Sequence, residues 1–215
     1  MNRRMTRFVA AACAAILLGS GMVGSATAGQ SDLQAAKAAT AQFHDLTVAG
    51  AAGFGQPPAP APLHDCISSL DNTGAMGFHY INGGNLDKVL DPTKPEVLVY
   101  APDKHGRLKL AALEFVIFQS AWYEDHAPGT MPMLFGQEFM PNNGSRFQIP
   151  PFFALHVWLF QDNPSGEFAP FNPDVSCDNA TTASARGSAA SVASAAIRTA
   201  AATPRWLCRV SGASA

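Results

Sequence analysis

The chain has 215 residues, of which 47% are hydrophobic and 14% are charged, and its formal net charge is -2. A length near 200 fits one domain with tails, and the apolar fraction is too high for a wholly disordered chain. The low charged fraction excludes a nucleic-acid-binding protein of the usual basic kind. The sequence has no repeat of fixed period, which argues against a solenoid or a propeller.

Residues 1–28 have the pattern of a secretory signal peptide. Three arginines precede a short apolar run at residues 8–18, and Ala26-Thr27-Ala28 supplies the small residues that a signal peptidase needs. The apolar run is about half as long as the roughly 20 residues that a membrane-spanning helix requires. We therefore predict cleavage near Ala28 and secretion to the periplasm, the cell envelope or the medium, with no membrane span in the mature chain.

Three cysteines remain after this cleavage: Cys66, Cys177 and Cys208. Disulfides persist outside the cytoplasm, and an odd number of cysteines leaves one thiol unpaired. We predict a Cys66–Cys177 disulfide because these two residues bracket the well-patterned part of the chain. Two unpaired buried thiols are the alternative, and Cys208 has no assigned partner.

The first predicted element is a helix from Ser31, as the N-cap, to about His44. Apolar and small residues recur along it at helical spacing: Leu33, Ala36, Thr40 and Phe43. Asp45 is placed to cap a second short helix. Four prolines between residues 57 and 62 then predict an extended linker.

Strand patterns follow the linker. The predicted strands cover residues 75–82, 96–100, 107–118 and 152–160, with a short helix and loop over 120–132. Gly106 is predicted to take the left-handed position in a hairpin between the second and third of these strands. The pattern predicts an α+β fold, with an antiparallel sheet and N-terminal helices packed on it. A small β-barrel is the alternative.

The C-terminal residues 179–215 differ from the rest of the chain. They are rich in Ala, Ser and Thr and contain four arginines but no acidic residue, whereas residues 29–178 carry all 16 acidic residues. Such a composition offers little to a packed core. We therefore predict one globular domain over 29–178, followed by a disordered tail.

Three ionisable residues interrupt predicted apolar strands: His79, Glu114 and His156. Strand alternation predicts that Glu114 shares a face with Leu110, and that His156 shares a face with Phe160. Because burying an ionisable group without a partner is costly, each of the three needs a hydrogen bond, an ion pair or a metal. Two imidazoles and a carboxylate that converge match the three-ligand sites of Zn²⁺ and the facial arrangement of Fe²⁺.

We therefore predict a metal site at His79, Glu114 and His156, with Zn, Fe or Cu as the candidate cofactor. His44 is a candidate fourth ligand, since it can reach the sheet from its helix. The sequence contains no HExxH, HxH or CxxC cluster, so a structural His–Glu pair remains open, as does metal-free proton transfer by His156 and Glu114. Gly-x-Ser-x-Gly and phosphate-loop motifs do not occur either, which leaves a familiar serine hydrolase or nucleotide enzyme unsupported.

Four segments carry a resemblance to a known family: AMGFHYIN, PEVLVYAPDKHGRLKLAALEFV, LFGQEF and FALHVWLFQDNPSGEFAPFNPDVSC. Together they resemble a family of exported bacterial proteins without an assigned activity, over approximately His44 to Cys177. The resemblance implies the extent of the domain and no mechanism. The sequence thus predicts a secreted metal-binding protein of unknown reaction and partners, and a non-catalytic envelope-associated or ligand-binding module is the alternative.

Overall fold

The structure is a computed structural model, and it describes residues 24–59, 61–178 and 180. Its helices are α1 (Gly24–Thr40), α2 (Leu46–Ala51) and α3 (Gln119–Asp125), with single 3-10 turns at Ala41–His44, Pro62–His64 and Ser145–Phe147. Its strands are β1 (Ile67–Ser68), β2 (Ala75–Ile81), β3 (Val97–Pro102), β4 (Leu108–Phe118), β5 (Met133–Leu134), β6 (Gln137–Glu138), β7 (Met140–Asn142) and β8 (Phe152–Val157).

Six of the strands form one curled antiparallel sheet in the order β1-β2-β3-β4-β8-β7. The remaining pair, β5 and β6, forms a separate small hairpin. Among the described strands, the large sheet ends at β1 and β7 and does not close into a barrel. The predicted α+β class with an antiparallel sheet is therefore confirmed.

The N-terminal helices cover one face of this sheet, which we call the helix face. Leu33 and Phe43 are buried there in one cluster with strand residues such as Leu98 and Phe115. The hydroxyl of Tyr100 donates a hydrogen bond of 2.6 Å to the backbone oxygen of Phe43, which ties the 3-10 turn to the sheet. Loops cover the opposite face, which we call the loop face, and the candidate site lies on it.

The helix boundaries differ in part from the prediction. Helix α1 begins at Gly24, so Ser31 lies inside the helix and does not serve as its N-cap. The alanines after Ser31 favour the helix, and because the helix extends back to Gly24, its N-terminal end, where a cap acts, does not lie at Ser31. Asp45 does cap α2, because its carboxylate accepts a hydrogen bond of 2.8 Å from the backbone N–H of Thr47.

A β-bulge in β4 changes which residues share the face of Glu114. Val99 pairs with Ala112 and Tyr100 pairs with Leu110, so Ala111 has no partner of its own. The extra residue shifts the alternation, and Leu110 therefore belongs to the helix face, contrary to the prediction.

The prediction that Phe160 shares the face of His156 is also wrong. The strand ends at Val157, so strand alternation no longer applies three residues later. Phe160 accordingly packs against the cluster on the helix face, whereas Trp158 belongs to the cluster on the loop face.

The hairpin between β3 and β4 forms as predicted, with Gly106 at a positive φ of 70°. The predicted disulfide is also present and joins Cys66, just before β1, to Cys177 near the end of the described chain. No helix among the described residues is long and apolar enough to cross a membrane. The predicted signal peptide up to residue 23, Cys208 and the tail other than residue 180 lie outside the described residues.

Candidate metal centre

His79, Glu114 and His156 come together on the loop face from three different strands. Glu114 in β4 lies directly opposite His156 in β8, and Val97 of β3 is its partner on the other side. Strand β3 lies between β2 and β4, and His79 in β2 is paired with Val99 of β3. Because Val97 and Val99 have short side chains, the imidazole of His79 reaches across β3 to the carboxylate of Glu114.

The carboxylate of Glu114 lies between the two imidazoles. Its Oε2 is 3.4 Å from Nε2 of His79, and its Oε1 is 3.5 Å from Nδ1 of His156. The two rings stand nearly perpendicular, with 5.8 Å between their centroids. One ligand atom from each of the three residues can be chosen so that all three lie within 4.8 Å of one another.

All three side chains are buried, and burial controls their protonation. It lowers the pKa of His79 to about 4 and that of His156 to about 3, because an imidazolium loses its hydration there. Burial raises the pKa of Glu114 to about 8, because an ionised carboxylate also loses its hydration there, and the neighbouring Glu96 adds a smaller contribution. Without a cation, the site therefore favours neutral imidazoles and a protonated carboxyl group at neutral pH.

Among the described residues, Nε2 of His156 has no hydrogen-bond partner, and Nδ1 of His79 has none of good geometry although the backbone of Gly77 lies near its ring. Buried polar atoms are nearly always satisfied, so an unpartnered pair within one small cluster calls for an explanation. The cluster is thus incomplete as a purely structural network of hydrogen bonds.

Glu96 is a second buried acid beside the site, and the sequence reasoning missed it. Its Oε2 accepts a hydrogen bond of 2.9 Å from the backbone N–H of Val116. This N–H lies just past the end of the β3–β4 pairing, so the side chain replaces a backbone partner there. Burial raises the pKa of Glu96 to about 8. The available sequence signal was an acidic residue at the head of the apolar strand EVLVY.

No Lys or Arg among the described residues lies within 4.0 Å of the carboxylate of either Glu96 or Glu114. Two buried carboxyl groups therefore share this region without a cationic side chain. Ionisation of either group is unfavourable unless another positive charge enters, since an unpaired buried charge is expensive.

The three residues line a cavity of about 420 Å³ on the loop face. Its walls are mostly apolar and come from five strands and the loops around them: Leu63, Met76, Ile81, Leu86, Val97, Val116, Phe118, Met140, Pro141, Phe147, Ile149, Phe152, Ala154, Pro170 and Phe171. Asn142 and Arg146 are the other polar residues of the lining. This combination of apolar walls and a few convergent polar groups is typical of small-molecule sites.

His44 does not join this cluster, so its prediction as a fourth ligand is wrong. Its exposed ring contacts the ring of Phe160 edge-on, at 4.8 Å between centroids, and Phe160 packs on the helix face. The 3-10 turn that carries His44 is tied to the helix face through its neighbour Phe43, so the sheet itself separates the imidazole from Glu114.

Comparisons of the chain with protein-family models, with curated proteins and with solved structures find no match. The resemblance over His44 to Cys177 therefore stays a prediction.

Proposed function

We propose that this protein binds one divalent transition-metal ion through His79, Glu114 and His156. The observation that carries the proposal is the spacing of the ligand atoms. Two ligands that are each about 2.1 Å from a tetrahedral ion lie about 3.4 Å apart. The separations at Glu114 are close to this value, at 3.4 Å from Nε2 of His79 to Oε2 and at 3.5 Å from Nδ1 of His156 to Oε1, so each imidazole faces its own oxygen of the carboxylate.

The same distances argue against a purely structural His–Glu pair. Hydrogen bonds that involve nitrogen and oxygen are about 2.7–3.2 Å long, and both contacts of Glu114 exceed that range. No two of the chosen ligand atoms are more than 4.8 Å apart, so ideal tetrahedral ligation requires the largest separation to shorten by at most about 1.4 Å.

Charge also supports a divalent ion. A bound cation favours the ionised form of Glu114 and neutral imidazoles, so it stabilises the carboxylate that burial otherwise keeps protonated. Nitrogen and oxygen ligands suit zinc, iron and copper. Three protein ligands leave at least one coordination position open toward the cavity, which is the arrangement of catalytic rather than structural zinc sites.

We place this function outside the cytoplasm. The Cys66–Cys177 disulfide supports that placement, because disulfides are rare in reducing compartments.

The test is a metal titration of the purified, EDTA-treated protein by isothermal titration calorimetry, with Zn²⁺, Cu²⁺ and anaerobic Fe²⁺. We expect one ion per chain for the wild type and at least a tenfold weaker affinity for His156→Ala and for Glu114→Gln. His44→Ala is the matched control and should bind like the wild type, because His44 lies on the opposite face of the sheet. Circular dichroism establishes that each variant is folded. Equal affinities for the wild type and a folded Glu114→Gln would refute the proposal.

A second candidate function is metal-free binding of an apolar molecule, which the apolar cavity favours. In that case the nitrogens of His79 and His156 that lack a partner of good geometry hydrogen-bond to one polar group at the end of an otherwise apolar ligand. Absence of stoichiometric metal together with retention of a ligand would favour this second function.

A further inference from the structure

We infer that the cavity binds an unbranched carboxylate of about eight to ten carbons, whose carboxylate occupies the open coordination position of the metal and whose chain lies along the apolar walls. This inference rests on the proposed metal site, and it names the class of ligand that the site takes.

The charge of the site selects an anionic ligand. With the neighbouring Glu96 protonated, as its raised pKa favours at neutral pH, a divalent ion with one carboxylate and two neutral imidazoles carries a net charge of +1. This charge lies in an apolar cavity, where an unbalanced charge is unfavourable. A ligand with one negative charge on its donor atom neutralises the centre, whereas a neutral alcohol or amine does not.

The shape and chemistry of the walls select an apolar body. Beyond the metal ligands, Asn142 and Arg146 are the only polar lining residues, so the cavity offers few partners to a sugar, a nucleotide or a peptide. Asn142 uses its Oδ1 to accept a hydrogen bond from the N–H of Gly144. A cavity of about 420 Å³ falls within the range of small-ligand sites and accommodates a chain of this length.

Arg146 provides an independent preference for an anion at the cavity. It is the only Lys or Arg among the lining residues. Its Nη2 donates a hydrogen bond of 2.6 Å to the backbone oxygen of Ser68, and its guanidinium lies over the ring of Phe147 at 5.6 Å. The side chain is exposed and held in place by these contacts, so its positive charge raises the local concentration of anions near the cavity.

Three matched probes test the carboxylate and the alkyl chain separately. Octanoate has both groups, octanol has the chain but no negative charge, and acetate has the carboxylate but no long chain. Each is titrated calorimetrically into the zinc-loaded protein. Octanoate should bind at least about 100-fold more tightly than acetate, because each buried methylene contributes about a three- to fourfold gain. It should also bind at least tenfold more tightly than octanol. Octanol that binds as tightly as octanoate, or acetate that does, would overturn the inference.

Variants of the walls test where the chain lies. Ala154 lines the cavity, and Ala154→Leu fills part of it without changing a ligand atom. Ile149→Phe does the same from a loop. Each variant should retain zinc binding and weaken octanoate binding at least tenfold, whereas Val48→Leu on exposed α2 should change neither. Unchanged octanoate affinity in both wall variants would contradict the proposed position of the chain.

Failure of this inference is distinguishable from failure of the proposed function. If zinc binds stoichiometrically and octanoate does not bind, the ligand class is wrong and the metal site stands. If none of Zn²⁺, Cu²⁺ and Fe²⁺ binds, the metal site is refuted, and with it the metal-bound carboxylate, even if octanoate binds.

Discussion

Glu114 is the residue on which the chemistry of the site depends. It is buried between two imidazoles, and burial raises its pKa to about 8 from an ordinary value of 4.5. The same carboxyl group is therefore unfavourable as a free anion and favourable as a metal ligand. Glu96, close by and also buried, has its pKa raised to about 8 as well.

These shifts predict a pH dependence for the metal-free protein. Between pH 6.5 and 8 the folded chain keeps protons on Glu96 and Glu114 that the unfolded chain has already released. The free energy of unfolding should therefore fall as pH rises through this window, by about 1 kcal/mol per pH unit for each carboxyl group. Below pH 6.5 the lowered pKa values of His79 and His156 have the opposite effect, and the free energy of unfolding rises with pH. The reason is that the two imidazoles bind protons at a higher pH in the unfolded chain than in the folded chain.

Urea denaturation of the EDTA-treated protein at pH 6.5, 7.5 and 8.5 measures this slope. Glu114→Gln should reduce it by about half, since one of the two buried acids is removed. A free energy of unfolding that is constant from pH 6.5 to 8.5 in the wild type would show that the two carboxyl groups do not have raised pKa values.

At the scale of elements, the two faces of the sheet have separate roles. Helices α1 and α2 and the 3-10 turn at Ala41–His44 pack on the helix face, while loops enclose the cavity on the loop face. The bulge at Ala111 moves Leu110 to the helix face and leaves Glu114 on the loop face. Stability contributed by the helix face should therefore be separable from metal binding.

Tyr100→Phe tests this separation. The change removes the hydroxyl that donates to the buried backbone oxygen of Phe43 and leaves that acceptor unsatisfied. We expect a loss of about 1–3 kcal/mol in the free energy of unfolding, measured with urea, and an unchanged affinity for zinc. Tyr123→Phe is the control, because the half-buried Tyr123 packs against Phe153 through its ring. Equal effects of the two substitutions would contradict the role assigned to the Tyr100 hydroxyl.

At the scale of the whole molecule, the disulfide links the two ends of the loop face. Cys66 precedes β1, and Cys177 follows the segment that contributes Pro170 and Phe171 to the cavity wall. The bridge spans a sequence separation of 111 residues. In the chain-entropy model, closure of a loop of this length stabilises the folded state by about 4–5 kcal/mol.

We expect Cys66 and Cys177 to resist alkylation by iodoacetamide until the protein is reduced, as measured by peptide mass spectrometry. Replacement of both cysteines by serine should lower the melting temperature by about 10 °C or more. It should also weaken the binding of octanoate more than that of zinc, because the bridge holds the cavity wall rather than the ligand residues. Ready alkylation of both cysteines in the unreduced native protein would be inconsistent with the bridge.

The sequence alone determined the strands and the residue types of the site. Residues 75–81, 108–118 and 152–157 are strongly apolar and β-forming, so local pattern was sufficient to predict them as strands. His79, Glu114 and His156 were detectable for a related reason. Burial of an ionisable group is costly, so its presence inside such a strand indicates a partner.

The tertiary structure decided which of these residues meet. Strand order and register, which are long-range properties, place Glu114 opposite His156 and within reach of His79. The bulge at Ala111 is not visible in the sequence, because Leu110, Ala111 and Ala112 are all apolar and fit either face. His44 was wrongly assigned for the same physical reason: a helical pattern shows which side of a helix is buried, but not which face of the sheet that helix covers.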